Sequence, residues 1–187
     1  HFKNFMDIAM LEKASQMAER WQGDMLSSGF VKLFMDGVAD SATAVMVEDY
    51  ASRPGWKGDP LFEPERFAAI ATEADRRGLQ VAVHAIGDGA VRIVLDGYEA
   101  ALKANGRRDS RHRVEHVEVI HPDDIPRFAE LGVIASMQPP HAPGNHGLPL
   151  EPYLSNIGEA RWQWAFAWKA LREAGARLVF GTDWPVS

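Results

Sequence analysis

The sequence contains no cysteine. Disulfide bridges and thiolate metal centres are therefore excluded, and any metal site must use nitrogen and oxygen donors. No apolar run approaches the roughly 20 residues that a membrane-spanning helix needs. Basic residues are outnumbered, 20 Lys and Arg against 26 Asp and Glu, for a net charge of −6. Nothing basic is concentrated enough to suggest nucleic acid, and the Arg107-Arg108-Asp109 run reads as a solvated turn. The opening stretch, His1-Phe2-Lys3-Asn4-Phe5, has neither the apolar core of a secretory signal nor an initiator Met. These absences lead us to expect a cytoplasmic protein with a small-molecule substrate, no nucleic-acid partner and no membrane association. The chain is expected to be a processed or incomplete piece.

What remains is ordinary globular composition. The 187 residues are 46% apolar and 25% charged, enough for one domain with a sizeable core. Short apolar runs alternate with amphipathic stretches. Met6 to Arg20 reads as a helix, with Ile8, Leu11, Ala14 and Met17 on one face, and Phe30 to Phe34 as a strand. A Gly- and Pro-rich loop runs from Asp36 to about Phe62. Pro64 opens a helix that reaches about Arg77, and Gly78 ends it. Strands follow at Gln80 to His84, Arg111 to His116, Val133 to Met137 and Arg177 to Phe180. Helices are expected at Asp88 to Ala104, from His121-Pro122-Asp123-Asp124 to Leu131, and over Glu159 to Ala174, with a loop from Gln138 to Gly158. Five strands separated mainly by helices predict a parallel α/β sheet with helices outside it.

Chemistry-bearing residues recur at one structural place. Lys32 lies within the first strand, His84 and His116 end the second and third, and Asp183 follows the last strand after Gly181-Thr182. In a parallel α/β barrel the active site forms at the C-terminal ends of the strands. Side chains far apart in sequence then converge, each carried by its own strand. Phe30, Lys32 and Phe34 share a face by strand alternation, and a lysine between two phenylalanines asks for a reason.

The motifs are Val31-Lys32-Leu33-Phe34-Met35-Asp36-Gly37, Val83-His84-Ala85-Ile86-Gly87-Asp88, Arg111-His112-Arg113-Val114-Glu115-His116 and Gly181-Thr182-Asp183-Trp184-Pro185. The stretch from Asp124 to Pro139 accompanies them. Together they resemble the amidohydrolase superfamily over nearly the whole chain, and most closely amidohydrolase family 3. That family includes N-substituted formamide deformylases and proteins named exoenzyme regulatory protein. The resemblance implies the last five βα units, strands four to eight, of a (β/α)8 TIM barrel. It implies a metal-dependent hydrolase of C–N, amide-like, non-peptide bonds, with one or two divalent ions, zinc foremost. Lys32 would be the strand-four lysine, a ligand only if carbon dioxide converts it to a carbamate. His84 and His116 would be the histidines of strands five and six. Asp183 would be the strand-eight aspartate, metal ligand and general base, then general acid. Neutral imidazole and carboxylate suit zinc.

The superfamily's His-x-His pair on strand one has no counterpart here; the only histidine before Lys32 is His1. A barrel of this kind takes roughly 250 residues, and five strands do not close one. Residues 1–187 are therefore read as one partial barrel domain without the strand-one region or the small β-sandwich portion. Such a piece is expected to be inactive alone and to carry open sheet edges, which pair readily with another chain or a second copy. Other reactions on the same fold, ester hydrolysis or deamination, and a non-catalytic regulatory role stay open. Asp36, Gln138 and His141 are candidate substrate contacts, with His146 a further pocket candidate.

Blander roles fit other polar residues. Asp88, just before a helix, is expected as an N-cap, and His121 as the cap of the turn at Pro122. His112 shares the face of His116 by period two but lies deeper and is read as structural, which leaves Arg113 and Glu115 facing the helices as an ion pair. Trp164 and Trp168 are expected to pack into the core from one helix face.

Overall fold

The computed structural model describes residues 8–186. Met6 and Asp7, the predicted start of the first helix, lie outside the described residues. Within them α1 spans Ile8–Arg20, β1 Phe30–Phe34, α2 Pro64–Arg76, β2 Gln80–Ala85 and α3 Asp88–Asn105. Then come β3 (Arg113–His116), α4 (Ile125–Leu131) and β4 (Ile134–Met137). The chain continues with α5 (Tyr153–Ile157), α6 (Glu159–Trp162), α7 (Trp168–Glu173) and β5 (Arg177–Phe180). All five strands are parallel and lie in chain order, β1-β2-β3-β4-β5. This is the sheet of a (β/α)8 barrel over five of its units. Among the described residues, β1 and β5 each pair on one side only.

The boundary signals act as expected. Pro64 takes the first turn of α2, where its missing N–H costs nothing. Gly132 closes α4 in the left-handed conformation, at φ +71°. Alternation along the strands sends Val31, Leu33, Val81, Val83, Val114, Ala135 and Met137 toward the helices. There they are buried with Phe67, Val91, Leu95, Phe128 and Leu171. The opposite, inner face carries Phe30, Lys32 and Phe34, all exposed. At roughly 25 cal/mol per Å² of apolar surface, the helix-side layer is the main stabilising contribution.

The two long loops form a second core over the C-terminal end of the sheet. Ala39, Ala44, Met46 and Tyr50 from the first loop pack with Ile86, Val119, Tyr153 and Ile157. Asn156 donates to the carbonyls of Ala39 and Asp40 at 2.9 and 2.8 Å, tying the loops together. Gly87 is where the first loop presses closest. A Cβ there would stand 2.1 Å from the Val45 carbonyl oxygen, so no other residue fits without backbone movement.

Four expectations are corrected. The segment Glu159 to Ala174 is not one helix: it breaks between α6 and α7. There Phe166 N–H donates to Glu118 O at 2.7 Å and Ala165 bridges Val119, so the backbone satisfies itself against the segment after β3 instead of coiling on. Trp164 and Trp168 therefore share no helix face, although both pack against the main core. The loop from Gln138 to Gly158 contains α5. Asp88 is the first residue of α3 and not its N-cap, which is Gly87; its Oδ1 accepts from Val47 N–H, 2.9 Å away, and fastens the first loop. Finally, the faces of β3 are exchanged. Arg113 and Glu115 pair at 2.8 Å, but register sets them beside Ala82 and His84 on the inner face, and the Arg113 guanidinium lies 4.9 Å from the Phe30 ring. His112 turns to the helices and stacks on Tyr98 of α3. Its structural role stands; the face assigned to it does not. His121 caps as expected, Nδ1 accepting from Asp123 N–H.

Candidate metal centre at the C-terminal end of the sheet

Strict alternation would send His116 to the helix side, because Glu115 already faces inward. The backbone reverses this. His116 and Val117 have φ of +77° and +49°, a region that L side chains rarely occupy and a β-branched residue hardly ever. Two such residues in succession cost a few kcal/mol of local strain, which the fold tolerates because neighbouring contacts fix the turn. Val117 N–H donates to Ala85 O at 3.1 Å, and Val119 N–H to Ile86 O at 2.9 Å. The result is that His116 swings to the end of the sheet, beside His84, with ring centroids 4.5 Å apart. Asp183, after β5, also has positive φ, +62°.

Among the described residues, one group of three or more His, Asp and Glu side chains brings its ligand atoms within 4.8 Å of one another. It comprises His116, His141 and Asp183. His141 arrives from the turn Pro139–His141 after β4, and its ring lies against His116 at 5.7 Å and nearly parallel. Two nitrogens here are buried without any hydrogen-bond partner, His116 Nδ1 and His141 Nε2. Unpaired buried polar atoms are rare and costly. Imidazole nitrogens turned toward a carboxylate are the donor set a zinc-like ion takes, so the residues present fit a divalent metal.

His84 adjoins the trio without belonging to it. Its Nε2–H donates to the Gly37 carbonyl at 2.8 Å, which leaves Nδ1 with the lone pair. Such a bond on the far nitrogen is the usual companion of a metal-bound histidine. Burial lowers the His84 pKa and the nearby Lys32 adds to this, against the Gly37 bond and Asp183. His116 is pushed down to about 3, by burial first and then by His84, Lys32 and His141. Both are neutral near pH 7, the form that ligates. Lys32 projects from the inner face of β1 with Nζ 4.9 Å from the Phe34 ring. Although the residue as a whole is exposed, partial desolvation of its amine by the surrounding protein lowers its pKa, opposed by the charges of Glu115 and Asp183.

The three expected substrate contacts separate. Asp36 is 2% exposed and accepts backbone N–H bonds from Val45, Ile86 and Gly87 at 2.9 to 3.0 Å. Burial raises its pKa to about 7 against the pull of those bonds. Its hydrogen bonds serve the fold, joining the first loop to β2, with His84 Nε2 3.5 Å away. Gln138 lies beside His116 and favours its protonated form, yet its Oε1 is buried and unpaired. His141 belongs with the candidate ligands instead. His146 is exposed and outside the group.

Sequence reasoning missed Glu118. It is buried, with a carboxyl raised to about 8 by burial and by Asp40 and Asp36. Its Oε1 lies 4.0 Å from His141 Nδ1. The available signal was the repeat Glu115-His116-Val117-Glu118, where an acid follows the strand end by two residues. Alternation gave no reason to turn it inward.

Comparison with known proteins places the chain among its relatives. Protein LONG AFTER FAR-RED 3 of Arabidopsis thaliana is 36% identical over 95% of this chain and 29% of its own length. The N-substituted formamide deformylase of Arthrobacter pascens is 26% identical over 71% of the chain and 24% of its length. A solved metal-dependent hydrolase from Pyrococcus horikoshii superposes with a TM-score of 0.79 and 31% identity, covering 96% of this chain and 35% of that one. The chain thus spans about a third or less of the proteins it matches. The amidohydrolase family model matches residues 4–187, and the chain belongs to the amidohydrolase family.

Proposed function

We propose that this chain supplies one wall of the active centre of a metal-dependent hydrolase acting on amide-like, non-peptide C–N bonds. The observation that carries the reading is the convergence of His116, His141 and Asp183, with two imidazole nitrogens buried and unpaired at the C-terminal end of a parallel sheet. His84, His116 and Asp183 would hold the ion, zinc foremost, and Lys32 would join them as a carbamate. A divalent ion bound there lowers the pKa of water toward about 7 and polarises a carbonyl.

The chain's own residues do the rest. The Asp183 carboxylate accepts the proton of the attacking water and returns it to the leaving nitrogen. The Gly37 carbonyl holds the His84 ring through Nε2–H and leaves Nδ1 as the nitrogen that would ligate. Partial desolvation of the Lys32 amine favours its neutral form, the form that captures carbon dioxide. Gln138 Oε1 is buried and unpaired beside His116, and would accept from a substrate N–H if the loop after β4 opened. The deformylase relative, by its name, acts on an N-substituted formamide, and this favours an amide substrate here.

The test is a product assay on the full-length protein with matched amide, ester and amine substrates, before and after chelator treatment and zinc restoration. Amide turnover that disappears with the metal and returns with it is the expected result. Turnover confined to esters, or indifference to chelator, would overturn the reading.

A further inference from the structure

We propose that His141 is itself a metal ligand of this centre, donating through Nε2, and that Glu118 is the residue that positions it. The inference rests on the metal-site reading above and extends it to a loop residue that is carried by no strand end. Four observations converge on it. Nε2 of His141 is buried and has no partner. One ligand atom of His141 lies within 4.8 Å of both His116 and Asp183. Its ring is held against that of His116, tilted by only 14°. Behind it, Nδ1 stands 4.0 Å from Oε1 of the buried Glu118 side chain, just beyond hydrogen-bond length.

A carboxylate behind an imidazole selects the tautomer with the proton on the near nitrogen. The far nitrogen then carries the lone pair. His84 already has such an arrangement, with the Gly37 carbonyl 2.8 Å from Nε2; His141 and Glu118 would reach it by closing from 4.0 Å to hydrogen-bond length with Glu118 ionised. Ligands around a tetrahedral ion at about 2.1 Å stand about 3.4 Å apart. The trio, with ligand atoms up to 4.8 Å apart, would therefore have to close by up to about 1.4 Å, within reach of side-chain rotation.

The local structure is built to hold both partners. Pro139 and Pro140 fix φ on approach to His141. His141 N–H donates to Gln138 O at 3.0 Å, and Asn145 Nδ2 donates to Pro139 O at 3.0 Å. The Glu118 carbonyl accepts from Phe166 N–H and the Tyr153 hydroxyl, which anchors its backbone to the second core. A loop histidine that merely solvated a surface would need none of this support.

The experiment is cobalt(II) titration of the metal-free full-length protein, following visible d–d absorption and affinity. His141→Ala is expected to alter the absorption bands and weaken binding about 100-fold or more, and Glu118→Gln to weaken it about tenfold. His146→Ala, five residues along the same loop and exposed, is the control and should match the parent. His141→Gln, which keeps most of the side-chain volume, serves if the alanine variant fails to fold. Parental affinity and spectrum in the His141 variants would overturn the ligand assignment while leaving the metal site in place. Parental behaviour of Glu118→Gln would overturn the positioning role. A parent protein that takes up neither cobalt nor zinc would bring down the metal-site reading itself.

Discussion

His112 and His116 bracket the same short strand and are almost equally buried, at 6% and 5% exposure, yet they end in opposite conditions. His112, at the N-terminal end of the sheet, has both nitrogens engaged. Nδ1 accepts from Val81 N–H at 3.1 Å and Nε2 bonds to Asp75 at 3.1 Å. Asp75 in turn accepts from Asn105, Arg108 and Ser110. His116, at the C-terminal end, has strained backbone and an unpaired Nδ1. One end is a closed hydrogen-bond network that lowers the free energy of the fold. The other leaves buried nitrogens without hydrogen-bond partners, the feature on which the proposed metal site rests. Burial alone does not distinguish a structural histidine from a ligand; the partner list does.

That contrast can be broken from the functional end first. Asp183→Asn tolerates the positive φ but has lost its basic carboxylate. Turnover of the full-length protein is expected to fall by about 10²- to 10⁴-fold. Its unfolding free energy should stay within about 0.5 kcal/mol of the parent, because the side chain is exposed. Steady-state kinetics and urea denaturation on the same sample check both halves. A large stability loss would mean that Asp183 belongs to the scaffold.

The converse substitution is Asp75→Ala. It strips acceptors from His112, Ser110, Asn105 and Arg108 together and should cost about 2–4 kcal/mol in denaturant midpoint experiments. Metal content per folded molecule should not change. A smaller step is Gly87→Ala, whose Cβ collides with the Val45 carbonyl. About 1–3 kcal/mol is expected, with the first loop loosened over the site. Proteolysis of that loop, compared with the parent, reads the effect.

The smallest effect is a pH dependence. Burial raises the pKa of Asp75, but bonds from Ser110 and Asn105 with the charges of Arg108 and His112 outweigh it, so the folded-state value is lowered. A depressed carboxylate stabilises the fold fully above its unfolded value, near 3.9. The contribution is lost as pH falls through the folded value. Asp75→Asn should therefore flatten the acid limb of stability below about pH 4. An unchanged acid limb would show that Asp75 does not govern it.

Much of the architecture was legible beforehand. β1 and β5 fall where the apolar runs ended, because Gly, Pro and charge flank them sharply. Pro64, Gly78 and Gly132 marked helix ends through backbone restrictions that no tertiary contact overrides. The break between α6 and α7 was hidden because Glu159 to Ala174 has good helical composition. Its competitor, the backbone of Glu118 and Val119, lies some forty residues away in sequence. The site was legible in part. The motif positions of Lys32, His84, His116 and Asp183 lead to the same end of the sheet, whereas Glu118 and the place of His141 beside His116 depended on loop packing.

The sequence by itself determined the parallel α/β order, the helix-side core and the family. Those follow from local periodicity, from chain punctuation and from motifs that survive without coordinates. Only the tertiary structure decided which way the ends of β3 turn, which acid stands behind His141, and that Asp36 is tied into the backbone of the first loop. Each of those depends on positive φ angles and contacts between distant segments. Whether a buried polar atom finds a partner is a property of the packed chain and not of the residue that carries it.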